Sequence, residues 1–289
     1  MSALLLALAA AAGPAIGADV SYSSDAEDTE ILKTGIDFDL SYSGPDERWG
    51  VRIERARFTP LGERSRTMER AYIRAADSLG AWQWSATVGS DGHTILGSAN
   101  IHDKSRFRKE FFLEREILET PEGLDRGIYY TFAGAALDLP ADDRNVVTLV
   151  GGVQPFTGNN VRTHLRATYV HVVKPDWGLS AQLRTRWFHN SDPGEFDYYS
   201  PRWYAEVLPV VQVRRFVGGW QVLGAVGYGA QRDSESKWRS SRYFNARVTS
   251  PRFQRDWALT AGILWTNTPV STGFTYRYTQ FNIGITKAL

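Results

Sequence analysis

Arginine recurs on one alternating parity in three stretches of this 289-residue chain. Arg162, His164 and Arg166 form one set, Arg184 and Arg186 a second, and Arg202, Tyr204, Glu206 and Arg214 a third. In an extended backbone, residues two apart point the same way, so each stretch would present a row of guanidinium groups on one face. A guanidinium stays charged, donates in a fork, and pairs with carboxylate, phosphate or sugar hydroxyls. Its chemistry is recognition and guidance, without bond breaking. A second row, Arg108, Glu110, Glu114 and Glu116, would set acidic groups on the same kind of face. The expectation is a basic wall facing a partly acidic one, about half a circumference away.

Catalytic readings are thinner. The five histidines are His93, His102, His164, His171 and His189. His164 on the polar parity and Ser180 on the next segment could meet as in membrane acyl hydrolases, but no acidic or amide partner is spaced to complete a triad. His171 falls on the apolar parity, which suits an interfacial ring. No phosphate loop, dinucleotide fingerprint, calcium loop or zinc pattern occurs, and with no cysteine there is no thiolate site. Asp25, Glu27, Asp28 and Glu30 could collect a divalent cation, although a solvated loop is the simpler reading. The chain is therefore expected to be no enzyme and to need no cofactor.

The elements that carry these rows alternate with period two almost throughout. Trp177, Leu179, Ala181, Leu183, Thr185 and Trp187 oppose Gly178, Ser180, Gln182, Arg184 and Arg186; Asp256–Thr266 and Val161–Val173 behave alike. Arginine rows need water on their side, because burying an unpaired charge costs many kcal/mol. A soluble sandwich and a membrane barrel both alternate. Three features favour the barrel. Apolar faces are bracketed by aromatics spaced for a lipid band about 25 Å tall. They are built of Val, Leu and Ala with Gly and Pro tolerated. Longer connections also alternate with shorter ones. The spacing predicts strands at 19–24, 32–43, 48–58, 69–77, 80–88, 93–102, 106–118, 127–138, 145–154, 161–173, 177–188, 201–214, 219–231, 239–249, 256–267 and 273–286. This is an all-β, antiparallel transmembrane β-barrel of the bacterial outer membrane with about sixteen strands, fourteen if the first strand and the 69–88 region fail. An open sheet in lipid would leave edge amides unpaired, so the barrel must close.

Residues 1–18 read as a signal peptide, with the apolar run Leu4–Ala12, a Gly13-Pro14 break and a small residue at the cleavage position, although no basic residue precedes the run. Residues 19–289 are then the barrel. Charge is uneven: residues 1–150 carry 16 basic and 24 acidic side chains, residues 151–289 carry 17 and 8, and the net is +1. No nucleic-acid motif accompanies the basic half. Expected girdle residues are Trp177, Trp187, Trp203, Trp257 and Trp265. The expected lumen lining is Arg162, His164, Arg166, Arg184, Arg186, Arg202, Tyr204, Glu206, Arg214, Glu110, Glu114 and Glu116.

The stretch Gly194-Glu195-Phe196-Asp197-Tyr198-Tyr199-Ser200-Pro201-Arg202-Trp203-Tyr204, followed by Leu208-Pro209-Val210, resembles an element of exopolysaccharide export barrels. These are the barrel domains of the cellulose synthase operon C type and of poly-N-acetylglucosamine porins. Gly158-Asn159-Asn160-Val161-Arg162 and Trp220–Gly229 are also similar. The likeness covers residues 155–250. Those exporters carry a periplasmic helical-repeat segment, whereas strands are expected here almost directly after the signal, so stand-alone outer-membrane barrels of the YaiO type are an equal comparison. The resemblance implies a passive hydrated conduit in outer-membrane lipid, placed there by the barrel assembly machinery. A polysaccharide would be its solute, with periplasmic or inner-membrane synthase components as possible partners. Tyr204, Tyr243, Tyr276 and Tyr278 then become sugar-stacking candidates. Tyr198 and Tyr199 would tuck the loop over the pore mouth, Pro201 would open the strand, and Pro209 on the lipid face would need a bulge. A structural or adhesin-like barrel with a plugged lumen is the alternative, and a hydrolase the remotest.

Overall fold

A computed structural model describes residues 13–26, 28–62, 64–251, 256–268 and 277–289. Sixteen antiparallel strands run in chain order: β1 (Gly13–Asp25), β2 (Glu30–Gly44), β3 (Glu47–Thr59), β4 (Arg66–Leu79), β5 (Trp82–Ser90), β6 (Ile95–Asp103), β7 (Lys109–Ile117), β8 (Tyr129–Pro140), β9 (Asn145–Pro155), β10 (Val161–Lys174), β11 (Leu179–Asn190), β12 (Trp203–Val217), β13 (Trp220–Asp233), β14 (Arg239–Thr249), β15 (Trp257–Thr266) and β16 (Tyr278–Ala288). Each pairs with its sequence neighbours, and β1 pairs with β16 from Ala15↔Ala288 to Asp25↔Tyr278. The sheet is closed, and the count is sixteen. The uncertain 69–88 region holds two full strands, β4 and β5.

The first strand differs from its expected bounds. It starts at Gly13, and the boundary after Ala18 falls inside it. Ala15–Ala18 already pair with β16 and, except for one register shift near Gly13, with β2. Cleavage after Ala18 would remove those pairs, whereas a leader ending before Gly13 keeps the register. The apolar run Leu4–Ala12 lies outside the described residues.

Burial is inverted relative to a soluble protein. Ile36, Ile53, Ile73, Leu165, Val211, Val226 and Ile283 are more than half exposed on the outer face. Inside, Arg70, Arg74, Asp39, Gln231 and Ser241 are buried. An apolar band this extensive around a whole barrel marks a surface that meets lipid. The two ends also differ. Turns after even-numbered strands are tight, as at Gly218-Gly219, whose φ values of 58° and 82° give the two-residue turn that matches strand twist. Connections after odd-numbered strands are longer, and those at 118–128 and 191–202 are fully described. The 118–128 connection carries α1 (Pro121–Arg126), started by Thr120, whose hydroxyl accepts from the Gly123 amide, and stopped by Gly127 in the left-handed region.

Pro209 causes no bulge. Pairing of β12 with β13 lapses at Leu208 and Pro209, then resumes in the same register, since Val207↔Ala230 and Val210↔Gly227 are in step. Opposite, Leu183↔Pro209 is intact. The proline deletes its ladder bond on one side only, and the barrel absorbs it.

Gly178 ends the short 3-10 turn Pro175–Trp177 with φ 63°, and a Cβ there would lie 1.8 Å from the Arg214 carbonyl oxygen. Gly178→Ala is expected to destabilise the barrel by more than the ~1–2 kcal/mol of left-handed strain alone. Gly194→Ala, with φ 75° but open space around it, should show only that strain. Urea unfolding followed by heat-modifiable gel migration compares the two, and equal midpoints would refute the clash.

Candidate functional site

The site is the barrel interior, where even-numbered positions of β10, β11 and β12 face inward. Arg166 and Arg186 are direct cross-strand partners, and Glu206 is the partner of Arg186 on the other side. Arg184 lies one inward position along the strand. Two guanidiniums are propped by aromatic rings: Arg184 lies 4.9 Å from the Tyr243 ring centre and Arg186 4.8 Å from that of Tyr204. Arg184 Nε and Nη2 also donate to Gln182 Oε1 at 2.9 and 2.8 Å. Arg166 is exposed to the lumen. Among the described residues neither Arg166 nor Arg184 has a carboxylate within ion-pair distance, and Arg186 reaches Glu206 only at 3.7 Å. Glu206 Oε1 is held by Ser241 at 2.5 Å and Thr268 at 3.2 Å.

Arg162 is placed differently. It is locked into the wall, over Phe188 at 4.5 Å and Phe156 at 5.2 Å, with Nε donating to Asn190 Oδ1 at 2.9 Å and Nη2 donating to the Tyr199 carbonyl. His164 contacts Gln154 Oε1 at 2.8 Å and packs between Phe132 and Phe188. Arg202 is exposed in the loop before β12, and Arg214 is exposed near the tight-turn end. Ser180 pairs with Val172 and His164 with Phe188, so the two lie at opposite ends of one hairpin and no hydrolase pair is assembled. Tyr278 takes the inward parity beside Gln280, and Tyr276 lies outside the described residues.

The acidic wall is corrected in place and in character. Strand β7 is only a few strands from β10, a quarter of the circumference rather than half. Its carboxylates are engaged: Glu110 with Arg108 at 2.8 Å and with Asn100, Glu114 with the Tyr130 hydroxyl, and Glu116 with Arg70. Directly opposite the arginine wall, eight strands away at β3, stands an ion-pair network that the sequence reading missed. Arg52 grips Asp19 with both terminal nitrogens at 2.5 and 3.0 Å, and also reaches Asp37 at 3.1 Å and Glu54 at 2.9 Å. Arg74 holds Asp39 in a fork at 2.9 and 2.8 Å, and also pairs with Asp37. Arg70, whose side chain is 0% exposed, links Glu54 and Glu116, each at 3.1 Å. The signal was present as Asp37/Asp39, Arg52/Glu54 and Arg70/Arg74, each pair spaced by two or four on the inward parity. Cavities of about 400, 350 and 360 Å3 lie along this interior and all have Arg48 in their walls.

The mouth at the long-loop end is crossed by two interlocked connections. Asp197 accepts from the Thr120 hydroxyl at 2.6 Å and the Glu122 amide at 2.8 Å, so the 191–202 loop caps α1. Leu124 of α1 packs inward against two apolar clusters, one containing Phe58 and Ile31, the other Leu96 and Ile117. Lys33 pairs with Glu119 beside it. The expected pore-mouth tyrosines are not over the opening. Tyr198 stacks on Phe156 at 4.4 Å and accepts from Asn160 Nδ2 at 2.7 Å. Tyr199 donates to Asp233 at 2.5 Å, and the Pro201 carbonyl accepts from Asn190. They fasten the loop to the wall. Glu195 adds a clasp on the amides of Asn159 and Asn160.

The expected girdle tryptophans fall at both strand ends. Trp187, Trp203 and Trp265 sit towards the long loops; Trp257, 6.2 Å from Trp220, and Trp177, with Lys174 Nζ 4.3 Å above its ring, sit towards the tight turns. Among the described residues no group of three His, Asp or Glu is placed to hold a metal. Within the acidic loop, Asp25 accepts from the Thr29 amide and Asp28 reaches Arg277, while Glu27 lies outside the described residues.

A closed, sixteen-stranded barrel with a lipid-suited exterior and a polar interior defines an outer-membrane β-barrel of porin-like fold. The chain is similar to a solved structure described as a bacterial polysaccharide outer membrane secretin, at 12% identity and TM-score 0.72, covering 96% of this chain and 98% of that one. It also aligns with the Pseudomonas aeruginosa porin OccK5 (OpdH) at 9% identity and TM-score 0.46, covering 96% and 98%. The first likeness is one of fold. No protein-family model matches the chain, and no curated protein matches it significantly.

Two consequences can be measured. Replacing Arg70 by Ala leaves Glu116 without its guanidinium and Glu54 with Arg52 alone, and should cost about 3 kcal/mol of stability. A urea midpoint unchanged from the native barrel would contradict the network. Burial pushes the Tyr198 hydroxyl up to about 12. Because the docked loop favours the neutral phenol, its docking is fully stable below pH 10 and weakens as pH rises towards 12. Protease cleavage within 191–202 should therefore accelerate over that window in the native chain. In Tyr198→Phe the step should be absent.

Proposed function

We propose that this barrel is a conduit through the outer membrane for polar solutes, with an extended glycan as the solute that best suits its interior. The observation carrying the reading is the inward-facing arginine wall on β10 and β11, with Arg166 exposed and Arg184 and Arg186 half-buried against Tyr243 and Tyr204, inside a barrel wide enough to hold water. A charged side chain facing a dry core would need a partner, and Arg166 needs none if it faces water. Guanidinium edges and tyrosine rings together suit sugars, which offer hydroxyls at their rims and C–H faces for stacking. The similar barrel described as a polysaccharide secretin, and the residues 155–250 that resemble export barrels, support a glycan over a small nutrient. No bond need be broken during passage, so no catalytic group is required. On this reading the long-loop end faces outward and both chain ends face the periplasm.

A second reading, a barrel with a plugged lumen and a structural or recognition role, is favoured by one observation: α1 and the 191–202 loop are latched across the mouth. The conduit reading requires this latch to open or to leave a gap beside it. Planar-bilayer recording separates the two. The native barrel should show stable ion conductance, and Asp197→Ala, which uncaps α1, should raise the open probability or conductance severalfold. Silence from both the native barrel and Asp197→Ala would sink the conduit and favour the plug.

A further inference from the structure

Charges inside the barrel are balanced unequally across its diameter. On the β1–β4 side and β7, the carboxylates Asp19, Asp37, Asp39, Glu54 and Glu116 are all consumed by ion pairs. On the opposite wall, Arg166 and Arg186 stand directly across from each other on neighbouring strands, with Arg184 one inward position away. Like charges directly opposite one another on neighbouring strands are destabilising. Only Glu206 is at hand: its Oε1 is occupied by Ser241 and Thr268, and its Oε2 stays 3.7 Å from Arg186 Nε. Arg186 Nε is buried without a hydrogen bond, and the nearest carboxylate oxygen is 3.7 Å away. Arg48 on β3, eight strands from β11, likewise has a buried Nε without a partner, and it forms part of the wall of all three lumenal cavities. The interior therefore contains donors without acceptors on both sides and few carboxylates free to repel an anion.

We infer that Arg166, Arg184 and Arg186 form an anion-binding subsite, and that the solute of this barrel is an acidic glycan bearing carboxylate groups. The inference rests on the conduit reading for transport, but not for binding. A carboxylate between Arg166 and Arg186 accepts from two guanidiniums and relieves their repulsion. The ring of Tyr204 lies 4.8 Å from the Arg186 guanidinium and that of Tyr243 4.9 Å from that of Arg184, so each cation is held against an aromatic face. A neutral glucan would gain hydrogen bonds but leave the like-charge repulsion in place. A polycation would meet the exposed arginines and be rejected.

The test uses the full-length barrel, with folding of each variant verified by heat-modifiable migration. Reversal potentials under a potassium chloride gradient should show preference for chloride, and Arg166→Gln/Arg184→Gln/Arg186→Gln should abolish it. Short oligogalacturonate should block the open current, and cello-oligosaccharide of equal length should not. Because each hydrogen bond to a charged group contributes about 1.5–3 kcal/mol, the triple variant should weaken block by at least tenfold. Cation preference, equal block by the neutral oligomer, or block indifferent to the three substitutions would overturn the inference. If the native barrel is silent, the conduit reading fails alone, and calorimetric titration of the detergent-solubilised barrel with oligogalacturonate decides the subsite. Binding lost in the triple variant upholds it; no binding by the native barrel overturns it.

Discussion

Closure is the constraint on which everything else here depends. A strand edge facing hydrocarbon exposes amides that nothing in lipid can satisfy, so the pairing of β1 with β16 is obligatory. Its consequences spread through the sequence. Once the sheet is a cylinder, each strand has one face towards lipid and one towards water, and period-two alternation must persist in all sixteen. The exterior must be apolar without being packed, which is why Gly and Pro are tolerated there. Pro209 shows how far that tolerance goes: one ladder bond is missing, yet the register is unchanged because the neighbours on both sides remain paired.

A wide cylinder creates a second problem, an interior too large to fill with side chains and too polar to leave unbalanced. Two solutions appear on opposite sides. Across β1–β4 and β7, alternating acids and arginines are interlaced into a continuous network, and Arg70 is buried within it. Forked geometry lets each guanidinium serve two carboxylates, so desolvation is offset by several charge-assisted bonds. Across β10–β12 the charges are mostly positive, with Glu206 as the inward carboxylate, and only partly balanced. The first arrangement gives an ion-paired wall, and the second leaves guanidiniums without carboxylate partners. Uneven charge between the chain halves, −8 against +9, thus reflects two walls with different tasks.

How much of this was legible beforehand depends on how local the governing interaction is. Alternation is a property of a single strand, so the barrel class, the strand count and the inward parity of Arg166, Arg184, Arg186, Tyr204 and Glu206 could be read directly. Pairs between strands could not. That Arg52 meets Asp19, or Arg70 meets Glu116, depends on register and on side-chain reach across several strands, which no single stretch encodes. The distance of β7 from the arginine wall was misjudged for the same reason: angular position follows from counting strands around a closed ring. The start of β1 was missed because Gly13–Ala18 is small and apolar and lacks the polar alternation that marks the other strands. Its membership in the sheet comes from its partners, Ala288 and Thr286 among them.

The stretch that makes the chain recognisable carries a different kind of information. Asp197, Tyr198, Tyr199 and Pro201 stand out because a twelve-residue loop must be fastened to a curved wall, and doing so takes specific groups in specific order. Asp197 caps α1, Tyr198 stacks on Phe156, Tyr199 bonds to Asp233, and the Pro201 carbonyl receives Asn190. Those demands leave a readable motif. A wall that guides a flexible polymer by charge makes no such demand, since any arginine on the right parity serves and its neighbours can vary. The strongest local signature in the sequence therefore belongs to the fastening of the mouth. The surface that would meet a solute is written only in parity and in the absence of partners, and it becomes visible once closure fixes which arginines face the same water.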